Sequence, residues 1–320
     1  MRVSICVITY NHEPYIRRCL ESLVMQETDF DIEIVIRDDG SKDNTQAIIN
    51  DFQKRYPDKV RFLHSSSNLG MTANLMTVFE AAKGEYLAIC EGDDYWIDPK
   101  KLQKQVLALE KYPGADLCCH PALVVGIKNN QQRKKYIGAY ATNTTMIPAY
   151  EVIKADGGFI ATPSIMIRKT CLQQLPSWFL AVPIADYFIQ VFGALRGGCV
   201  FLPEPMAAYQ QYATGSWSSA MRVDLQKKQI FLKQYLVYLK KLQTYINADF
   251  SLCCHQTQAI SFCSLALVFL GMGRHTDFRK TIEQSWAYYS KVSGPQVFFF
   301  YLRFFPKFAK LFYWLHRKYR

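Results

Sequence analysis

Between residue 3 and about residue 124, short apolar runs rich in β-branched residues alternate with longer stretches in which apolar positions recur every three to four residues. The first pattern marks strands and the second marks helices. Segments 3–8, 32–37, 60–64 and 86–90 read as strands. A helix starts near Glu13-Pro14, with Pro at an early helical position and Ile16, Leu20, Leu23 and Val24 along one face. A second helix runs from Asn44 to Tyr56, and a third follows the 65–70 loop through Lys83. Strands separated by helices are βαβ units, so this half is predicted to be α/β with a largely parallel sheet, an architecture suited to nucleotides.

After Leu123 the rhythm changes. A polar, basic stretch (128–135) is followed by a predicted helix near 150–155, a β-like run at 159–167, a helix over 186–195 and short strands at 200–202 and 206–209. This region reads as the second part of one catalytic domain, giving a first domain over 1–220. Residues 221–320 form a helical, basic C-terminal region, with Leu, Phe and Tyr at helical spacing up to Gly271 and Gly273. No uncharged apolar run is expected to reach the roughly 18 to 20 residues that a membrane-spanning helix needs.

Half of the 320 residues are hydrophobic, which excludes a disordered chain. The net charge of +11 is unevenly placed: residues 1–220 hold 22 Lys/Arg against 23 Asp/Glu, and residues 221–320 hold 16 against 4. Ten cysteines show no regular framework, and Cys6 and Cys90 sit inside strand-like runs. Reduced thiols and a cytoplasmic setting follow. The clusters Cys118-Cys119-His120 and Cys253-Cys254-His255 lack zinc-site spacing and read as core.

Candidate chemistry gathers at strand ends. Glu91-Gly92-Asp93-Asp94-Tyr95-Trp96 follows the 86–90 strand directly. Adjacent carboxylates repel and lose hydration there unless a cation or hydrogen-bond donors offset them. Hard oxygen ligands favour Mg²⁺ or Mn²⁺ carrying a phosphorylated ligand. The competing reading is an acidic turn before the helix that begins near Pro99. The first strand runs into Thr9-Tyr10-Asn11 and the second into Asp38-Asp39-Gly40-Ser41, so in a parallel sheet both meet one ligand. A tyrosine ring offers a stacking face for a base, and a carboxylate accepts a ring N–H.

With these motifs the chain resembles the family 2 glycosyltransferases, inverting enzymes with the GT-A fold, a Rossmann-like, mostly parallel sheet flanked by helices. The likeness spans roughly residues 1–220 and includes Val3-Ser4-Ile5 through Asn11, Asp38–Ser41 with Asp43, Asn68-x-Gly70 with Asn74, Lys83–Tyr86, Glu91–Trp96 and Thr162–Arg168. The resemblance implies that Tyr10, between Thr9 and Asn11, packs on the nucleobase and that Asp39 accepts its ring N–H. It implies that Glu91 and Asp93 approach the nucleotide, with Asp93 at the ribose and pyrophosphate and Asp94 on the metal, Mn²⁺ or Mg²⁺. Asn68 and Asn74 either shape the same pocket or cap local structure. An acidic residue at a helix start serves as base in the family. Only Glu151, Asp156 and Asp186 lie between 151 and 200, and Asp186, after Pro183-Ile184-Ala185, fits. Its alternative role is to cap that helix.

Where many relatives read Tyr-Arg-x-His, this chain reads Tyr209-Gln210-Gln211-Tyr212, followed by Gly215–Ser218. The metal then rests on Asp94 alone among protein groups or draws on Tyr212, and Ser218 closes over the pyrophosphate. The implied reaction moves a sugar, from a uridine diphosphate donor, to a hydroxyl of a glycan or lipid-linked acceptor in bacterial polysaccharide assembly. The Gln-x-x-Arg-Trp signature of processive synthases is missing, so one sugar per encounter is implied. The alternative class is a catalytically weak nucleotide-sugar-binding or scaffold protein. From about 297 to 320, eleven aromatics and six Lys/Arg occur without an acid, at helical spacing. Such a tail lies on an anionic membrane at the inner face of the plasma membrane or docks on its own domain or a partner chain, as in an oligomer. No nucleic-acid-binding motif accompanies the charge.

Overall fold

The computed structural model describes residues 1–65, 67–126, 135–155, 158–173, 175–213 and 221–318. They separate into two compact units, one of residues 1–152 and 158–213, the other of 153–155 and 221–318.

The first unit contains strands β1 (Val3–Thr9), β2 (Ile32–Asp38), β3 (Val60–Leu63), β4 (Tyr86–Glu91), β5 (Tyr95–Trp96), β6 (Leu117–Cys119), β7 (Ala122–Val125), β8 (Tyr136–Ile137), β9 (Thr145–Ile147), β10 (Met166–Arg168), β11 (Cys199–Phe201) and β12 (Ala207–Gln210). Its helices are α1 (Glu13–Val24), α2 (Thr45–Arg55), α3 (Met71–Ala81), α4 (Lys101–Lys111) and α6 (Ala185–Ala194), with α5 (Ala149–Lys154) leading into the second unit. Eight strands form one sheet in the order β3-β2-β1-β4-β10-β6-β11-β9. The pairings among β3, β2, β1 and β4 are all parallel, as the alternating pattern predicts. Every residue of β1 and β2 is buried, the signature of strands covered on both faces. A smaller sheet runs β5-β12-β7-β8. The chain thus adopts a mixed α/β, GT-A-like fold.

The core repeats the sequence pattern. Ile16, Cys19, Leu20 and Leu23 of α1 are buried with Val3, Ile5 and Val7 of β1 in one cluster, while Val24 packs at its edge. At Gly84 a Cβ would stand 2.4 Å from the Ser4 backbone nitrogen, so the entry to β4 requires glycine. The β-like run at 159–167 does not form one strand. Ser164 turns back to the Ala161 carbonyl through its N–H (2.9 Å) and hydroxyl (2.7 Å), and Pro163 has no N–H to give a ladder. The strand begins only at Met166, and it runs antiparallel to both neighbours, β4 and β6.

The second unit contains α7 (Leu225–Tyr245), α8 (Ser251–Gly271), α9 (His275–Tyr288), α10 (Gly294–Tyr301) and α11 (Pro306–Lys318). Asp224 caps α7 by accepting from the Gln226 and Lys227 N–H groups. One expectation fails here: the segment Ala248–Gly271 is long and apolar enough, by length and composition, to cross a membrane. Two thirds (67%) of its most apolar 18-residue stretch is buried inside the fold, where Cys254, Ala259, Ala266 and Leu270 pack as the central helix of the unit. An uncharged helix surrounded by others satisfies its apolar sides all round, which explains the composition. All ten cysteines are free thiols, and Cys118, Cys119, Cys253 and Cys254 are buried as core residues.

Candidate active site

The parallel ladder sets the site. Thr9 pairs with Asp38 and Ile8 with Glu91, so β1, β2 and β4 end at one rim. Asp39 donates its N–H to the Thr9 carbonyl at 2.9 Å. Asn11 stands at φ 54°, a left-handed position that asparagine tolerates. Its N–H donates to Ser41 Oγ (2.7 Å) and its Oδ1 accepts from the Lys42 N–H (2.8 Å), stitching the first rim loop to the second. Tyr10, between them, leaves its ring 44% exposed at the rim. Asp38, fully buried, organises its own turn by accepting from the Gly40 and Ser41 N–H groups at 3.0 and 2.8 Å.

Asp39 is buried and already well satisfied. Oδ1 accepts from Arg37 at 2.9 Å and from the Leu69 N–H at 2.8 Å, and Oδ2 accepts from the Gly70 N–H at 2.9 Å. A carboxylate has about four acceptor positions, so one remains on Oδ2 for the base N–H that the sequence assigns to it. Asn68, exposed, accepts the same Gly70 N–H at 3.1 Å and shapes the loop. Asn74, buried, points its Oδ1 at Arg37 (2.7 Å). Both asparagines therefore belong to the support of Asp39.

The acidic cluster lies beside this group. One oxygen from each of Glu91, Asp93 and Asp94 falls within 4.8 Å of the others. The sequence reading left a metal on Asp94 alone or on Asp94 with Tyr212, and the turn after β4 gathers three carboxyls. Gly92 makes that turn possible: a Cβ there would lie 2.5 Å from Thr9 Oγ1 and 2.9 Å from His12 Nδ1. Burial, then the charges of Asp93 and Asp186, push the Glu91 carboxyl up to about 8. Burial also raises Asp93, against the pull of His12, whose Nδ1 is 4.0 Å from Asp93 Oδ1. Asp94 is pushed well above the carboxylate range by burial and by Asp93, Glu91 and Cys90. Its Oδ1 accepts the Gln210 N–H at 2.8 Å, while its Oδ2 is buried without a hydrogen-bond partner. Raised carboxyls around an orphaned oxygen are the donor set that a hard divalent cation fits.

Asp186 lies in the first turn of α6, whose N-cap is Ile184, so it is not the capping residue. Its carboxyl accepts the Tyr187 N–H at 2.7 Å and the Thr162 hydroxyl at 3.4 Å. Burial holds it up at about 6 despite those donors. Its effect on Glu91 places it within electrostatic reach of the acidic cluster. Ser218 and the basic stretch at 128–134 lie outside the described residues. Tyr212 stands at φ 65° just beyond β12, and it is the Gln210 main chain that reaches Asp94.

Sequence reasoning passed over three residues. Arg37 joins Asp39 to Asn74 and also donates to Ser65 Oγ at 2.7 Å. Its signal was a cation at the end of a buried strand, directly before Asp38-Asp39. His12 faces Asp93, and its position directly after Asn11 was the only clue. Thr162 meets Asp186, a contact between segments 24 residues apart with no local pattern.

A strand rim with a carboxyl cluster on a mostly parallel sheet is the setting in which α/β folds bind ligands. The profile described as Glycosyl transferase family 2 matches residues 4–174, more than half of the chain, and the chain belongs to that family. It is 36% identical over 228 residues to an uncharacterized protein of Mycobacterium tuberculosis, an alignment covering 68% of this chain and 61% of that relative. The chain thus spans less than two thirds of that relative's length. Poly(ribitol-phosphate) beta-glucosyltransferase of Bacillus spizizenii is 32% identical over 123 residues, 36% of this chain and 19% of that protein. Among solved structures, TarS 1–349 of S. aureus in complex with UDP-GlcNAc superposes with a TM-score of 0.66 at 16% identity, covering 90% of this chain and 81% of that one. Mannosyltransferase PcManGT from Pyrobaculum calidifontis, in complex with GDP-Man and Mn2+, gives 0.57 at 16% identity, covering 98% and 85%. At these identities the structural likeness speaks for the fold alone.

Proposed function

We propose that the chain is an inverting glycosyltransferase that moves a sugar from a uridine diphosphate donor to a hydroxyl of a glycan or lipid-linked acceptor. The observation that carries this reading is the cluster of Glu91, Asp93 and Asp94 after β4, one oxygen of each within 4.8 Å of the others, with Asp186 at the start of α6 adding to the rise of the Glu91 carboxyl. TarS was solved with UDP-GlcNAc and PcManGT with GDP-Man and Mn2+, and the named Bacillus relative is a glucosyltransferase, which supports the donor class. Free thiols throughout favour the cytoplasm, where such donors are met.

Asp94, with Glu91 and Asp93, would hold Mn²⁺ or Mg²⁺. A divalent ion so bound neutralises charge that builds on the departing diphosphate. Tyr10 offers its exposed ring to the base, and Asp39, braced by Arg37 and the Leu69 and Gly70 N–H groups, accepts the ring N–H. Asp186 takes the proton of the acceptor hydroxyl. That oxygen bonds to the anomeric carbon as the bond to the diphosphate oxygen breaks on the opposite face, so the configuration inverts. A carboxyl held near 6 is ionised at pH 7 yet more basic than an exposed aspartate, a useful compromise for a base.

The test is Asp186→Asn. Turnover is expected to fall by roughly 10² to 10⁴ with nucleotide-sugar affinity retained. In the unchanged protein, turnover should rise with pH through about 6 and level above it, and the variant should lose that limb. Near-normal turnover in the variant would falsify the assignment.

A further inference from the structure

We propose that the C-terminal helix α11 is an interfacial anchor that seats this chain on an anionic lipid bilayer. The sequence leaves open whether its aromatic stripe faces inward or outward, and the packing of the second unit separates the two sides of the helix. Ala309 and Tyr313, four residues apart, form the inward side. Tyr313 lies close against Gly271 at the end of α8, where a Cβ would stand 2.9 Å from its ring. The other side holds Phe308, Leu311 and Trp314, and Tyr301, Phe304 and Phe305 precede them. These six side chains are each 49% to 64% exposed. A docked helix normally buries its larger apolar residues. Here Ala309 and Tyr313 face in and Phe312 is half-buried against Phe298, while Phe308, Leu311 and Trp314 face out.

Contiguous exposed apolar surface marks a place where something binds. Charge identifies what. No acidic residue follows Glu283, and Lys307 lies on the same outward side as Leu311, with Lys310 at its flank. Arg303 lies 3.9 Å over the Phe300 ring and 4.3 Å over Phe304, and Arg279 lies 4.4 Å over Phe304. Glu283 pairs with both arginines, leaving the patch net positive. A second copy of this chain would bring two cationic surfaces together. An anionic bilayer instead accepts the aromatic and leucine side chains at the headgroup boundary while lysines meet phosphates. The surface commits to no sugar chemistry, so it stands or falls apart from the transfer reaction.

The experiment is flotation of the full chain with vesicles of phosphatidylcholine alone or mixed equally with phosphatidylglycerol. The chain is expected to float with the mixed vesicles, and more weakly at high salt. Lys307→Gln with Lys310→Gln should lower the partition coefficient by roughly 30-fold, about fivefold per cation. Phe308→Ser with Leu311→Ser should lower it at least about tenfold, since each deletes apolar surface that enters the interface. All four positions are at the surface or only partly covered, and an unchanged melting temperature in both variants confirms that folding is intact. Absence of flotation by the unchanged chain, or flotation unaffected by both variants, overturns the proposal. So does a dimer in sedimentation that Phe308→Ser with Leu311→Ser dissolves, because a second copy would then cover this face.

Discussion

Glu91 offers the sharpest quantitative prediction, made for protein stripped of divalent ions by a chelator. Its carboxyl titrates at about 8 in the fold against 4.5 for the free group. Between those values the folded chain keeps a proton that the unfolded chain has lost, so stability falls as pH rises. The loss begins near 4.5 and is complete above about 8, the reverse of an ordinary paired carboxylate. At ~1.36 kcal/mol per pH unit, the interval corresponds to about 5 kcal/mol. The repulsion is shared with Asp93 and Asp186, so Glu91→Gln should relieve part of it, on the order of 2 to 4 kcal/mol at pH 8 and nothing at pH 4.5. At about 2 to 4 °C per kcal/mol, melting of the unit holding the site should rise by roughly 4 to 16 °C at pH 8. Calorimetry from pH 4.5 to 8.5 on both proteins reads the difference directly. Saturating Mn²⁺ should erase the advantage of the variant or reverse it, since the neutral amide is a poorer ligand. If the two proteins keep the same gap in melting temperature at every pH, the carboxyl is not held protonated by its surroundings and the argument for a cation there loses its basis.

Gly92→Ala places a methyl group 2.5 Å from Thr9 Oγ1 and 2.7 Å from Thr9 Cβ. Titration calorimetry should show weakened Mn²⁺ binding, with destabilisation of about 1 to 3 kcal/mol from the overpacked turn. Arg37→Met strips a buried partner from Asp39 and Asn74, so unfolding in urea should show a loss of about 3 kcal/mol or more. Nucleotide affinity should fall with it while the Asp186 pH limb stays in place.

The parallel half of the sheet was legible because its signals are local: buried strands and one-sided helices repeat within each twenty-residue window. The order of the rim motifs likewise brought Thr9, Asn11 and Asp39 together, since a parallel register aligns strand ends. What escaped depends on distant contacts. The donors that fill Asp39 come from the 68–70 loop folding back, and Arg37 reaches Asn74 across 37 residues, so neither is written in the spacing. At 159–167 the signal was present and passed over: Thr162-Pro163-Ser164 interrupts the β-like run and imposes the turn there. The composition of α8 cannot separate a helix enclosed by its neighbours from one enclosed by lipid. Helical spacing in the tail revealed a stripe, while only packing shows that Ala309 and Tyr313 turn inward and Phe308, Leu311 and Trp314 outward.

The reversed direction of β10 has a consequence for how related chains diverge. Its neighbours leave the sheet at the rim, whereas β10 enters there, so Thr162 arrives beside Asp186 from the opposite chain direction. The two sides of the mouth are tied to each other, since Trp96 donates its indole N–H to the Pro163 carbonyl and Ile89 its N–H to the Ile165 carbonyl, both at 3.1 Å. The 169–184 segment is fastened to α3 as well, where the Thr72 hydroxyl donates to the Val182 carbonyl at 3.1 Å, so an insertion that displaces Val182 pulls on the loop that braces Asp39 and the two walls of the mouth diverge together.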